Sequence, residues 1–248
     1  MSTPVALVTG AGAGIGKAVA EELAERGYDL VLMTRSDGAE KVATRLGGVA
    51  LRGSVTEAAD LERMVQTALD RFGRIDAVLN NTGQAPNTGV PATGGRFDPE
   101  TDLRLLDLTD AEWEQAFEMI FLSVVRMTRL VAPVMARQGG GAIVNITSFA
   151  QREPSYAFPT GSAMRMALAG YSKLFSDSWG RQNVRMNSVL PGFMENYPLE
   201  DHARDQIPLG RSGLMTELAR TVAFLMSPDA AYVTGQSLLV DGGMNRGV

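Results

Sequence analysis

Thr9-Gly10-Ala11-Gly12-Ala13-Gly14-Ile15-Gly16 is the stretch on which the fold turns. Before it, Val5-Ala6-Leu7-Val8 is a continuous apolar run of the kind shown by a buried parallel strand. After it, Ile15, Val19 and Leu23 fall at i, i+4 and i+8 on one helical face. A turn without Cβ atoms lets the backbone pass close to a phosphate, and the unpaired N–H groups at the positive end of the following helix face the anion. A lone glycine-rich turn can be merely a tight strand-to-helix connection. Here it opens a series of alternating strands and helices, the context in which it reads as a nucleotide cradle.

The second apolar run, Tyr28–Thr34, reads as a buried strand and leads directly into Arg35-Ser36. In a dinucleotide fold this strand end meets the adenosine ribose, where an acidic side chain bonds the 2′-hydroxyl and repels a 2′-phosphate. Thr34 followed by the cation Arg35 therefore favours NADP(H) over NAD(H); the bland alternative is a solvated loop charge.

The strand–helix rhythm continues. A helix at 37–46 leads to a strand at Val49–Arg52, then to a helix at 56–72 with Leu61, Val65, Leu69 and Phe72 inward. A strand at Asp76–Asn80 ends in Asn80-Asn81-Thr82-Gly83. The segment 84–108, rich in Gly, Pro, Asn and Asp, is too long for a routine connection and reads as part of a substrate-pocket rim together with 193–210. A long helix from about Asp110 to Gln138 places Phe117, Phe121, Val124, Thr128, Val131 and Met135 at helical spacing. Beyond Gly139-Gly140-Gly141 come a strand at Ala142–Ile146 ending in Thr147-Ser148, a helix at about Gly161–Gly180, and a strand at Val184–Leu190 ending in Pro191-Gly192. Short helices near 199–206 and 215–227 and a strand at Ser237–Val240 complete the chain. This alternation predicts an α/β fold, an open parallel sheet wrapped on both faces.

Composition narrows the function. The 248 residues show no linker, repeat or charge run, which favours one domain. A net charge of -5 and a pI near 5.0 argue against nucleic acid or an anionic membrane as partner and leave a small-molecule substrate. The absence of cysteine removes disulfides, thiolate catalysis and Cys-ligated metals, and it suits a cytoplasmic setting. One histidine, His202, leaves little room for a His-ligated metal, so no metal is expected. The N-terminus enters the first strand without a basic and apolar leader, and no apolar run is long enough to span a bilayer.

Five motifs in order, TGAGAGIG at 9–16, NNTG at 80–83, ITS at 146–148, NVRMNSVLPG at 183–192 and TGQSLLVDGG at 234–243, resemble the short-chain dehydrogenase/reductase family across nearly the whole chain. The resemblance implies a Rossmann-type doubly wound sheet of seven parallel strands, assembled as a homotetramer or homodimer. It implies that Gly10, Gly14, Ile15 and Gly16 hold the pyrophosphate, and that Asn81, Gly83, Pro191 and Gly192 lie near the adenine-ribose or nicotinamide ends. Ser54 stands where the family usually has an Asp facing adenine.

The catalytic end departs further. The family uses a Tyr general acid/base, a Lys four residues later that lowers the phenol's pKa and grips the nicotinamide ribose, a Ser that holds the carbonyl oxygen, and an Asn that keeps a water relay. Aligned on Ser148 and on the flanking Ser162-Ala163 and Ala167-Leu168, the Tyr position is Gly161 and the Lys position is Arg165. The Asn position, seven residues after Trp113, is Ile120. Ser148 alone remains of the four. Arg165 keeps a cation but stays protonated and has a different shape; Gly161 has no proton donor, a loss that typically costs about 10²–10⁴ in rate; Ile120 cannot hold a water.

Substitutes stand beside plainer readings. Tyr156 lies in the loop after Ser148 and could turn its hydroxyl inward, or be a rim aromatic. Ser162 reads as a helix N-terminal cap and Tyr171 as packing. His202, Glu195 and Tyr197 lie on the segment over the cleft, solvated or facing substrate. Enoyl reductases of the superfamily carry their Tyr seven residues before the Lys, here Phe158; halohydrin dehalogenases carry Ser, Tyr and Arg but lack the glycine loop. Neither pattern fits. The expectation is an NADP(H)-dependent oxidoreductase on a small carbonyl or alcohol, using Ser148, Arg165 and a donor such as Tyr156. The alternatives are a catalytically silent dinucleotide-binding protein, or a lyase or isomerase on the same scaffold.

Overall fold

The strand runs and helical faces assemble as their periodicities require. In the computed structural model, which describes residues 3–81, 105–197, 199 and 201–247, the strands are β1 (Val5–Thr9), β2 (Asp29–Thr34), β3 (Val49–Arg52), β4 (Ala77–Asn80), β5 (Gly141–Ile146), β6 (Val184–Pro191) and β7 (Ser237–Val240). They form one seven-stranded parallel sheet in the order β3-β2-β1-β4-β5-β6-β7. The helices are α1 (Gly14–Glu25), α2 (Gly38–Leu46), α3 (Ala58–Phe72), α4 (Asp110–Ala116), α5 (Ser123–Arg137), α6 (Pro159–Trp179), α7 (Asp201–Arg204) and α8 (Met215–Met226). The order reverses between β1 and β4, so the crevice for a ligand opens at their C-terminal ends, beside the glycine-rich turn.

Alternation along β1 sends Ala6 and Val8 to one face and Val5 and Leu7 to the other. The first pair packs with Val19 and Leu23 of α1, Val42 of α2 and Leu218 and Val222 of α8. The second packs with Leu61 and Met64 of α3, Met127, Val131 and Met135 of α5 and Phe175 of α6. Two apolar layers thus sandwich the sheet and hold the strand ends in register.

The expected elements are present, with three physical differences. α6 begins at Pro159 instead of Gly161, because proline's fixed φ and missing N–H suit the first helical position. The segment 199–206 is helical only over Asp201–Arg204. The helix from Asp110 to Arg137 is continuous but holds a π-helical turn at Phe117–Leu122, which no side-chain periodicity announces. That same helix corrects the membrane reading. Over its 28 residues it has a window of mean hydropathy 1.6, long and apolar enough to span a bilayer by length and composition. Its apolar face is instead core: Ile120, Val124, Met127, Val131 and Met135 are buried within the fold.

The start of β1 is fastened by one carboxylate. Asp76 accepts from Val5 N at 2.8 Å and receives a forked pair from Arg74, with Nε at 2.8 Å and Nη2 at 2.6 Å. Asp76→Ala removes the acceptor of the buried Val5 N–H and the forked partner of Arg74, and is expected to lower stability by about 2–3 kcal/mol in urea unfolding, with Asp76→Asn losing less.

Candidate functional site

The glycine-rich turn after β1 is closed so tightly that side chains are excluded. Gly10 has φ +63, and a Cβ there would lie 2.3 Å from Asn81 O; at Gly16 it would lie 2.2 Å from Gly10 O. Gly14, at φ +52, faces open space except for Asn196 Nδ2, 3.7 Å from where a Cβ would stand. Gly12 meets Gly38 at the start of α2, with a Cβ on Gly12 only 3.1 Å from Gly38 Cα. No motif signalled Gly38; only the three-dimensional approach of the two turns makes it matter. Thr9 Oγ1 donates to Leu79 O at 3.1 Å and accepts from Asn81 N at 2.9 Å, while Asn81 Nδ2 donates to Gly10 O at 3.3 Å. Asn81 therefore braces the turn. α1 begins with Ala13 at its N-cap, no side-chain cap and no acidic residue in its first turn, so its first N–H groups have no side-chain acceptor among the described residues. An anion is the ligand such a terminus accommodates.

Beside this turn lies a cavity of ≈ 590 Å³, with Ile15, Thr34, Arg35, Ser54, Asn81 and Asn196 among its lining residues. Arg35 stands at the end of β2 as expected. Its carbonyl accepts from Arg52 Nε at 3.0 Å, and the Arg52 carbonyl accepts from Arg63 Nη2 at 2.6 Å, with Arg63 also paired to Asp60 at 2.8 Å. Ser54, at the position of the family's Asp, has its Oγ 2.8 Å from Thr56 Oγ1 and accepts from Thr56 N at 3.3 Å. A bare turn, an uncapped helix start and a cationic strand end fit a phosphorylated dinucleotide. Gln115, Glu118 and Met119, which also line this cavity, had no signal in the sequence reading.

The strand ends of β5 and β6 bring the other candidates to the same edge. Ser148 follows β5 with its hydroxyl accepting from Ala150 N at 3.2 Å, which caps the short turn Phe149–Gln151. Its own O–H meets no acceptor among the described residues. Pro191 ends β6, and Gly192 N donates to Val240 O at 3.0 Å where a Cβ would stand 2.8 Å from Asp241 Cα. Gly161 is buried on the first turn of α6. Ser162 corrects the capping reading: Phe158 is the N-cap residue, and Ser162 Oγ accepts from Ser155 N at 3.2 Å, tying the preceding loop to the helix. Ile120 sits in the π turn at 3% exposure, a core side chain. Tyr156 is 41% exposed on that loop. Tyr171 packs as read, with its hydroxyl 2.6 Å from Thr128 Oγ1 and its ring against Phe121 and Phe175. Glu195 is occupied as a cap: its Oε1 accepts from Met215 N at 2.8 Å at the start of α8. Tyr197 stacks obliquely on Phe193, which in turn meets Phe149 beside Ser148. Thr82, Gly83, positions 84–104 and the side chain of His202 lie outside the described residues.

Arg165 is the electrostatic anomaly of the site. It is half-buried and makes no hydrogen bond or ion pair with a described residue, and burial alone pushes its guanidinium down to about 10. A desolvated cation is a functional-site signature and a stability cost. Arg165→Met is therefore expected to raise the stability of the ligand-free protein by about 1–3 kcal/mol at pH 7. The sign follows from the direction of the shift: a cation with a depressed folded pKa destabilises the fold at every pH below about 10, and the cost fades as pH rises from there toward 12.5. Urea unfolding of the two proteins should show a gap that is constant near neutrality and narrows above pH 10.

Comparison with known proteins gives a consistent picture. Residues 10–245 match the family model described as Enoyl-(Acyl carrier protein) reductase. The chain is 34% identical over 250 residues to the 3-oxoacyl-[acyl-carrier-protein] reductase FabG of Vibrio cholerae, covering 97% of this chain and 96% of that protein. It is 33% identical over 256 residues to the 3-oxoacyl-[acyl-carrier-protein] reductase of Synechocystis, covering 98% of each. Among solved structures it superposes with TM-score 0.88 and 25% identity on YwfH, an NADPH dependent reductase involved in bacilysin biosynthesis, over the whole of both chains. Acetoin dehydrogenase YohF from Salmonella typhimurium gives TM-score 0.83 at 31% identity, covering 98% of this chain and 97% of that one.

Proposed function

The chain belongs to the short-chain dehydrogenase/reductase family, and from that premise we propose that it is an NADP(H)-dependent oxidoreductase of small carbonyl or alcohol substrates with a rebuilt proton-donor end. The observation that carries the reading is the bare, uncapped start of α1 sharing one cavity with Arg35. Gly10, Gly14, Ile15 and Gly16 would hold the pyrophosphate, Arg35 the 2′-phosphate, and Pro191 and Gly192 would border the nicotinamide; Gly83 belongs to the same proposal. NADP(H) supplies or accepts the hydride. Ser148, whose O–H meets no acceptor among the described residues, donates to the substrate oxygen. Arg165 bonds the nicotinamide ribose and offsets negative charge developing on that oxygen. The proton comes from Tyr156 or from water, since α6 offers no phenol at position 161. The reading includes assembly as a homotetramer or homodimer.

Fluorescence titration with NADPH and NADH tests the cofactor assignment. NADPH should bind at least about tenfold tighter, and Arg35→Ala should remove most of that preference, because a charge-assisted contact to phosphate is at stake. Equal affinities, or a preference for NADH, would contradict it.

A second reading is a catalytically silent dinucleotide-binding protein. It is favoured by Gly161 together with the burial of Ile120, since neither position can hold a proton donor or an ordered water.

A further inference from the structure

The cavity beside the glycine-rich turn has a second charged wall that the assigned roles leave unused. Among the described residues that line it, Arg35 is the one cation and Glu118 the one carboxylate. Glu118 lies in the π turn and is fixed there. Arg126 Nη1 donates to its Oε2 at 2.6 Å, and Nη2 approaches Oε1 at 3.3 Å. The same Nη1 donates to Thr56 O at 2.9 Å, so the carboxylate is held against the loop that carries Ser54. An ionised carboxylate accepts about four hydrogen bonds, and Arg126 uses one site on each oxygen. Each oxygen keeps a lone pair for a donor inside the cavity. Among the described residues, the Ser54 hydroxyl is engaged with Thr56 and not with Glu118.

A cavity with a cation at one wall and a fixed carboxylate at another selects a ligand that is anionic in one part and a hydrogen-bond donor in another. We propose that Glu118 reads the exocyclic amino group of the purine, making it the residue that selects adenine over a 6-oxo base. This rests on the reading that the cavity takes the adenosine 2′-phosphate half of NADP(H). The π turn has a role in this account: by adding a residue to its turn it sets where Glu118 and Met119 meet the cavity.

The test is the affinity of the intact protein for NADPH and for its hypoxanthine analogue, which carries a 6-oxo group in place of the 6-amino group and a proton on N1. Wild type should bind NADPH at least about tenfold tighter, since the analogue sets an acceptor against a carboxylate. Glu118→Gln should bring the two within about threefold, because an amide can donate or accept. Ser54→Ala should leave the wild-type ratio in place. Equal wild-type affinities, or an unchanged ratio in a Glu118→Gln protein that unfolds at its normal midpoint, overturn the inference while leaving the nucleotide reading intact. Failure of wild type to bind either compound overturns both. The wild-type ratio needs no substitution and stays decisive if the variant does not fold.

Discussion

Gly16→Val is expected to abolish NADP(H) binding, weakening it by at least about 100-fold, and to lower the melting temperature. A Cβ at position 16 would stand 2.2 Å from Gly10 O and 2.7 Å from Asn81 Nδ2. Neither neighbour can yield cheaply: one is backbone, and the other braces that backbone by donating to the same carbonyl. The turn must open, and opening moves the N–H groups of α1 away from the anion they would hold. The lost stabilisation is that of several charge-assisted hydrogen bonds, each worth about 1.5–3 kcal/mol. Gly14→Ala is the informative contrast. Its added Cβ meets only Asn196 Nδ2, at 3.7 Å, so it carries mainly the left-handed backbone penalty of about 1–2 kcal/mol. Calorimetric titration and thermal unfolding of the two variants separate closure of the cradle from general loss of stability.

The second large effect runs toward gain. The double variant Gly161→Tyr, Arg165→Lys restores to α6 a phenol and an ammonium one helical turn apart, with the cation favouring the phenolate. If hydride transfer limps for want of a positioned acid, kcat for carbonyl reduction should rise by about 10²–10⁴, the usual worth of a general acid. If the natural protein is silent, the same variant should convert binding into measurable turnover. Adding Ile120→Asn is expected to help less and to cost stability, because it buries an amide at a position now 3% exposed. A double variant that binds NADPH as well as wild type and is no faster would show that this end of the site does not perform carbonyl chemistry.

The parts of this protein that were legible in the sequence are those set by local physics. Strands such as Val5–Thr9 and Ser237–Val240 declare themselves by apolar runs between turn residues, and the glycine spacing at 9–16 by the turn it permits. Arg35 was readable because its distance from the second strand is short. What escaped depends on approach between distant segments. Gly38 matters only because α2 begins against Gly12. Glu195, read as solvated or facing substrate, also caps α8, a bond to Met215 that spacing cannot reveal. Ser162 looked like a cap and instead ties the Ser155 loop, because Pro159 moves the helix start upstream. Glu118 and Arg126 lie eight residues apart, beyond the i,i+4 rule, and the π turn between them adds a residue to the winding that the rule assumes.

The central claim is a working nucleotide cradle coupled to Ser148 without a phenol at position 161 of α6. Its most direct test is nicotinamide absorbance during incubation of NADPH with a panel of small ketones and aldehydes, for wild type and Ser148→Ala. The account predicts consumption of NADPH with at least one panel member and a fall of about 10²–10³ in kcat on removing the hydroxyl, at unchanged NADPH affinity. Consumption that is indifferent to Ser148, or tight NADPH binding with no consumption by either protein, would contradict it.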